Sequence, residues 1–235
     1  MTFPSRLSAP SAILFDLDGT LADTAPDLAA AVNWLRTERG LAPTPYAILR
    51  PTASAGARGM IGAAFGLAPG DDGYEALRLQ WFDRYQANMS EHSTLFDGVN
   101  ELLDGIRAAG MEWGIVTNKP MRFTDPLLPQ IGLAHAGCVV SGDTTPHPKP
   151  HPAPLLEGAR RLRLDPADCW YVGDDLRDIE AGQAAGMVTV ACAWGYCGAI
   201  DPASWGADFL LDTPGHLLQT LLEVVAGAQA GAVTA

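Results

Sequence analysis

The sequence predicts an α/β fold, in which a Rossmann-like parallel sheet carries helices on both faces and a small α-helical cap domain is inserted. An apolar run, Ala12 to Phe15, stops abruptly at two carboxylates and a glycine, which is typical of a buried strand. From Asp97 onwards, short apolar strands alternate with helices, as in βαβ units. The stretch from Thr24 to about Ser93 shows no strand pattern and therefore predicts the helical insert.

The two carboxylates after the first strand, Asp16 and Asp18, form the first candidate site. Side chains alternate along an extended chain, so both can project towards one site while Leu17 points away. Two anionic groups held close together repel each other, and a divalent cation offsets that repulsion most directly. Mg²⁺ prefers oxygen ligands of this kind. The same residues also allow another interpretation, a hairpin turn at Asp18-Gly19.

The insert contains two well-marked helices. The first begins at the candidate N-cap Thr24 and ends at Gly40. The second opens at Asp71-Asp72. Its apolar stripe consists of Tyr74, Leu77, Trp81 and Tyr85. We therefore expect a helical cap domain at residues 23–93, inserted into a catalytic core domain formed by residues 1–22 and 94–235.

Polar residues recur where three predicted strands end, at Asp16, Thr117 and Asp174. The strand ends of a doubly wound sheet converge on one crevice, so we expect these side chains to share a site. The strands predicted after the insert are 112–116, 138–141, 169–172, 187–191 and a short one near Phe209.

Composition narrows the class of partner. The net charge of −12 argues against nucleic acid, which proteins bind mainly through Lys and Arg. No segment has the unbroken apolar length of a membrane span, and the first ten residues lack the pattern of a secretory signal. We therefore expect the chain to stay in the cytoplasm, where an anionic substrate would need local positive charge. We also expect a monomer or homodimer. The four cysteines fit neither a disulfide scaffold nor a C-x-x-C pair and are expected to be small buried residues.

Only two of the 15 basic residues are lysines, Lys119 and Lys149. Lys149 lies in a loop with alternating prolines, which can present an ammonium without a large ordering cost. Lys119 follows Thr117-Asn118, and two interpretations stay open for it: it reaches the site, or it is surface charge.

Four segments together resemble the motifs of the haloacid dehalogenase superfamily. Their order and spacing match the branch whose helical cap is inserted after the first motif, and the resemblance covers nearly the whole chain. Four motifs in order are far more specific than one. The segments are D-L-D-G-T at 16–20, I-V-T-N at 115–118, P-K-P at 148–150 and V-G-D-D-L-R-D at 172–178.

The resemblance implies a Mg²⁺-dependent phosphomonoester hydrolase that works through an aspartyl phosphate. Asp16 would be the nucleophile and a metal ligand. Asp18 would be the general acid and base, and its backbone carbonyl would bind Mg²⁺. Asp174 would supply the second carboxylate ligand. Asp178 and, less firmly, Asp175 would hold metal-bound water, although an exposed helix N-cap also explains Asp175.

The resemblance also implies a phosphate-binding set. Thr117 and Asn118 would bind phosphate oxygens, and Lys149 would neutralise Asp16 and the phosphate. In the cap, Arg58 is the only charged residue between Pro51 and Pro69. It would pair with a substrate carboxylate, unless it is a surface residue on a mobile loop.

Two other functions stay open at this level. A phosphosugar mutase of the same superfamily keeps the acid Asp18, and a phospho-accepting receiver module also combines acidic residues, Thr and Lys. Among phosphatases, the sequence is similar to the phosphoglycolate phosphatase group. Within that group it looks closest to members acting on N-acetylmuramic acid 6-phosphate in peptidoglycan recycling. Where those members have an Asn in the cap, this chain has Ala55.

Overall fold

The computed structural model describes residues 9–233, with side chains described as far as residue 228. The strands are β1 (Ala12–Phe15), β2 (Ala22–Asp23), β3 (Thr94–Leu95), β4 (Glu112–Val116), β5 (Val139–Val140), β6 (Cys169–Gly173), β7 (Val188–Cys192) and β8 (Phe209–Leu211). The helices are α1 (Ala25–Thr37), α2 (Tyr46–Leu49), α3 (Gly56–Phe65), α4 (Tyr74–Asn88), α5 (Val99–Ala108), α6 (Met121–Gln130), α7 (Ala153–Leu162), α8 (Leu176–Ala185) and α9 (Pro214–Val233). A 3₁₀ helix, Arg50–Ala55, joins α2 to α3.

Six strands form one parallel sheet in the order β5-β4-β1-β6-β7-β8. The first strand of the chain lies near the centre, between β4 and β6. The carboxyl ends of these three strands therefore lie side by side. The predicted parallel α/β sheet is confirmed, and the hairpin interpretation of Asp18-Gly19 is wrong because β1 has parallel partners on both sides.

Side chains of the central strand alternate between two apolar layers, which explains why its sequence is apolar throughout. Ile13 and Phe15 belong to the larger core, which also contains buried residues of α5 and α9. Ala12 and Leu14 belong to the second core, which contains buried residues of α7 and α8. Helices thus cover both faces of the sheet, as predicted.

The stretch 24–93 is described throughout and contains only helices and turns. It begins after β2 and ends at β3, and these two short strands pair antiparallel. The Asp27 carboxylate, on the first turn of α1, accepts hydrogen bonds from the backbone N–H groups of His92 and Ser93. The chain therefore leaves and re-enters the sheet region at adjacent points. The boundaries at residues 23 and 93 stay a prediction.

Element ends differ slightly from the predicted ones. Helix α1 ends at Thr37, three residues before Gly40, and α4 begins at Tyr74, after Gly73. Arg58 lies in the first turn of α3, not in a loop, and its side chain is exposed, so its pairing with substrate stays a prediction. Among the described residues, no helix combines the length and apolar character needed to cross a bilayer. The secretory-signal expectation falls largely on residues 1–8, outside the described residues.

Candidate active site

Asp16 directly follows β1, and its backbone N–H donates to the Val172 carbonyl of β6 at 2.9 Å. This bond continues the ladder and fixes the carboxylate at the sheet edge. Asp16 is 8% exposed. Its Oδ1 lies 3.0 Å from the Lys149 ammonium but accepts no hydrogen bond. A buried carboxylate oxygen without a donor is costly, so this atom is set up to interact with something that binds in the site.

Three buried carboxylates from two strand ends lie together. Ligand oxygens of Asp16, Asp174 and Asp178 are all within 4.8 Å of one another. Burial, reinforced by the charges of Asp16 and Asp178, holds the pKa of Asp174 well above its usual range. Burial raises the pKa of Asp178 to about 6, against the opposing effect of Lys149. This concentration of negative charge, with an oxygen left free, fits a hard divalent cation such as Mg²⁺.

The Asp174 carboxylate is tightly enclosed. A Cβ atom on either Gly19 or Gly195 would overlap it. Its oxygens accept hydrogen bonds from Thr20 Oγ1 at 3.2 Å and from the Tyr196 N–H at 2.9 Å. Ser54 Oγ, from the 3₁₀ helix of the insert, donates to it at 3.1 Å. Because the glycines remove bulk and these donors fix its direction, Asp174 is held in one orientation.

Lys149 is 3% exposed, and its ammonium is completely surrounded by oxygen atoms. It contacts Asp178 at 2.7 Å, Asp16 at 3.0 Å, the Val116 carbonyl at 3.1 Å and the Tyr171 hydroxyl at 2.7 Å. Burial favours the neutral amine, but the two carboxylates raise the pKa of Lys149 above its ordinary value. Lys149 therefore stays charged beside Asp16, as expected from the sequence.

Asn118 and Thr117 lie at the end of β4. The Asn118 amide both donates to the Lys149 carbonyl and accepts from its N–H, each at 2.9 Å. The expected phosphate ligand Asn118 therefore uses its amide to hold the Lys149 backbone. Thr117 is 2% exposed, and its hydroxyl accepts from the Lys119 N–H at 3.2 Å. Both residues line the site cavity.

Lys119 is a buried site residue, so the surface interpretation is wrong. Its Nζ lies 2.9 and 3.3 Å from the two oxygens of Asp18 and donates to the Tyr85 hydroxyl at 2.7 Å. Thr24 Oγ1 also donates to Asp18. Burial raises the pKa of Tyr85 to about 12, so this hydroxyl stays protonated at neutral pH. Tyr85 comes from α4, so α4 is connected to Asp18 through Lys119.

Asp175 is the N-cap of α8. Its side chain accepts from the Arg177 N–H, and the Asp178 side chain accepts from the Asp175 N–H, forming a capping box. Asp175 also pairs with the Arg177 guanidinium at 2.7 Å. Asp175 is therefore a helix N-cap that also lines the site cavity, and its role towards metal-bound water stays a prediction, whereas Asp178 lies within the carboxylate cluster.

Of the carboxylate cluster, Asp16 and Asp178 line a cavity of about 350 Å³, and residues of the insert form part of its lining. Arg58 lies on its lining, as does Arg78 of α4. Sequence reasoning missed Arg78, which resembles an ordinary helix ion pair with Glu75, and Arg177, whose partner Asp175 is the N-cap of its own helix. The aromatic part of the lining is formed by Tyr74, Trp81, Phe82, Tyr85 and Phe123.

The pattern of the haloacid dehalogenase-like hydrolase family matches residues 13–192. Over 218 residues, the chain is 44% identical to the N-acetylmuramic acid 6-phosphate phosphatase of Pseudomonas putida, covering 92% of this chain and 98% of that protein. Over 210 residues, it is 47% identical to the phosphoglycolate phosphatase of Xanthomonas campestris pv. campestris, covering 88% and 95%. The crystal structure of a predicted phosphoglycolate phosphatase from Haemophilus somnus matches with a TM-score of 0.81 and 28% identity, covering 91% and 99%.

Proposed function

The chain belongs to the haloacid dehalogenase-like hydrolase family and is a phosphatase, and we propose that it hydrolyses a small phosphomonoester through an aspartyl phosphate on Asp16. The observation that carries this proposal is the setting of the Asp16 carboxylate. Its Oδ1 lacks a hydrogen bond, lies 3.0 Å from an ammonium, and belongs to a cluster of three carboxylates at a cavity. A nucleophile for an anionic ester needs this combination of a free lone pair and nearby positive charge.

In the first step, an oxygen of Asp16 attacks phosphorus and the bond from phosphorus to the leaving oxygen breaks. The electron pair goes to the leaving oxygen, which takes a proton from Asp18. In the second step, water attacks the phosphorus of the aspartyl phosphate and gives a proton to Asp18. The Asp16 carboxylate leaves, and inorganic phosphate is released. Asp18 thus returns to its starting form at the end of each cycle.

The other site residues stabilise charge during these steps. We propose that Asp16, Asp174 and the Asp18 carbonyl hold Mg²⁺, with Asp178 beside them. When bound, the cation offsets the clustered carboxylates and polarises the phosphoryl oxygens. Lys149 contributes a fixed positive charge next to Asp16, and Thr117 offers a hydroxyl at the end of β4. Cytoplasmic location and the division into core and cap domains stay predictions.

We propose N-acetylmuramic acid 6-phosphate as the substrate, with 2-phosphoglycolate as the second candidate. Relatives carry the names of phosphatases for each. Both molecules contain a carboxylate that Arg58, on the cavity lining, can pair with. The aromatic lining favours the sugar, because a partly exposed ring such as Phe82 offers apolar surface to C–H groups that a two-carbon acid lacks.

A phosphate-release assay tests the function. The purified chain with Mg²⁺ is given N-acetylmuramic acid 6-phosphate, 2-phosphoglycolate and N-acetylglucosamine 6-phosphate, which lacks the lactyl carboxylate. We expect the highest kcat/KM for the first, loss of turnover with EDTA, and recovery when Mg²⁺ is restored. If phosphate is released from none of the three substrates, the proposal is contradicted. A mutase would instead yield an isomeric phosphate, and a receiver module is inconsistent with membership of a hydrolase family.

A further inference from the structure

One contact joins the insert directly to a proposed metal ligand. Ser54 Oγ donates to Asp174 Oδ2 at 3.1 Å, although Ser54 belongs to the 3₁₀ helix Arg50–Ala55 and Asp174 follows β6. Asp174 is fully buried. A hydroxyl brought by the insert therefore contributes to the hydrogen bonding of a carboxylate that no solvent reaches.

The Ser54 backbone is held to the same part of the core. Arg177 Nη2 donates to the Ser54 carbonyl at 2.9 Å, while the same guanidinium is paired with Asp175. At the other end of the 3₁₀ helix, Arg50 Nη1 donates to the Gly195 carbonyl at 3.3 Å. The segment is thus attached to the core near both ends, and the Ser54 hydroxyl belongs to one of the two attached residues.

Because Asp174 is tightly enclosed, its hydrogen bond from Ser54 helps to set the direction of the carboxylate. The Asp174 carboxylate packs directly against the backbones of Gly19 and Gly195, and a Cβ atom on either glycine would overlap Asp174. With the glycine backbones behind it, the direction of the carboxylate depends on its donors Thr20, Tyr196 and Ser54. Of these three, only Ser54 lies in the helical stretch between β2 and β3.

We propose that Ser54 is a positioning residue for Asp174, through which docking of the Arg50–Ala55 segment and binding of Mg²⁺ stabilise each other. Hydrogen bonds to a ligating carboxylate set its direction and strengthen metal binding. If docking strengthens metal binding, then metal binding strengthens docking by the same factor, because the two equilibria are linked. This inference rests on the proposed role of Asp174 as a Mg²⁺ ligand.

Mg²⁺ binding, measured by calorimetry without substrate, tests the first half of the proposal. We expect Ser54→Ala to raise the Kd for Mg²⁺ about tenfold or more. The matched control is Thr52→Ala, on the same 3₁₀ helix, whose hydroxyl donates only to the nearby Leu49 carbonyl. This control should leave the Kd unchanged. An equal Kd in wild type and Ser54→Ala, or an equal rise in both variants, overturns the inference.

Hydrogen exchange tests the reciprocal half. Adding Mg²⁺ to the wild type should slow exchange of the backbone amides in residues 50–59, and Ser54→Ala should reduce this protection. Equal protection in both proteins overturns the inference while the proposed phosphatase mechanism stands. If the wild type binds no Mg²⁺, the metal role itself is wrong and the inference falls with it, so the two failures are distinguishable.

Discussion

Lys119 and Asp18 form an ion pair inside the protein, with Nζ 2.9 Å from Oδ1 and the lysine side chain only 4% exposed. Asp18, the proposed general acid and base, is therefore held by Lys119, a residue that lies outside the four sequence motifs. The same ammonium donates to Tyr85 of α4. The position of Asp18 consequently depends on how the insert packs against the core.

Replacing Lys119 by Met should lower kcat/KM by about a hundredfold, because Asp18 loses the group that orients it. Steady-state kinetics on N-acetylmuramic acid 6-phosphate measure the change. Lys119→Arg keeps the charge and should retain more activity than Lys119→Met. Wild-type kinetics in Lys119→Met, or equal losses in both variants, would contradict a role in orienting Asp18.

Asp16→Asn should reduce turnover about a thousandfold or more while leaving the fold intact, since the amide is nearly isosteric but a poor nucleophile. Acid-quenched samples examined by mass spectrometry should show a phosphorylated chain for the wild type and none for the variant. Circular dichroism provides the control for folding. Turnover within tenfold of wild type would rule Asp16 out as the nucleophile.

Lys149→Met should cost about a hundredfold or more in kcat/KM, because Asp16, Asp178 and the phosphate then repel without compensation. Tyr171→Phe is a useful comparison: it removes one hydroxyl contact of Lys149 and keeps the charge. Its loss should be much smaller. The role assigned to the ammonium fails if the two variants lose equal activity in the phosphate-release assay.

Arg58→Ala should weaken kcat/KM for N-acetylmuramic acid 6-phosphate by about 2–3 kcal/mol, the range for a hydrogen bond to a charged group. N-acetylglucosamine 6-phosphate has no carboxylate, so kcat/KM for this substrate should scarcely change. Arg84→Ala removes an arginine of α4 that packs over Trp34 and is absent from the cavity lining, so it serves as the control. Equal losses on both sugars would show that Arg58 supports the insert generally.

Gly19→Ala should destabilise the fold by at least about 2 kcal/mol, because its φ of +88° disfavours a side chain and the new Cβ overlaps Asp174. Gly132→Ala separates the two causes: φ is +83°, but nothing lies within 4 Å of the added Cβ. Urea unfolding should show a loss of only about 1 kcal/mol there. Equal losses would mean that contact with Asp174 is unimportant for stability.

The meeting of polar residues at one edge of a parallel sheet could be anticipated because it depends on local patterns. An apolar run such as Ala12–Phe15 identifies a buried strand, and polar residues directly after parallel strands must meet at one edge. By that reasoning the sequence alone predicts that Asp16, Thr117 and Asp174 lie at one edge of the sheet. The sequence also predicts that Lys149 neutralises Asp16, and the structure brings its ammonium to 3.0 Å from Asp16 Oδ1.

Contacts made by the insert could not be anticipated, because they depend on how the chain packs across long separations in sequence. Nothing near Ser54 indicates that it reaches Asp174, and the stripe containing Tyr85 is explained equally well by ordinary core packing. Lys119 was ambiguous for the same reason: its burial depends on α4 lying over it. Helix α3 includes the glycines that flank Arg58 although glycine disfavours helix, so the place of Arg58 on a helix could not be inferred from local propensity.

The pairing of β2 with β3 has a consequence for how such chains diversify. Ala22 lies opposite Leu95 and Asp23 opposite Thr94, so the two ends of a long excursion are clamped side by side. For the sheet, the inserted residues therefore act as a short connection. Their length matters little, because the entropic cost of closing a longer loop grows only slowly. A chimaera that exchanges the residues between Asp23 and Thr94 for a different helical module should therefore keep the six-stranded sheet and acquire a new selectivity.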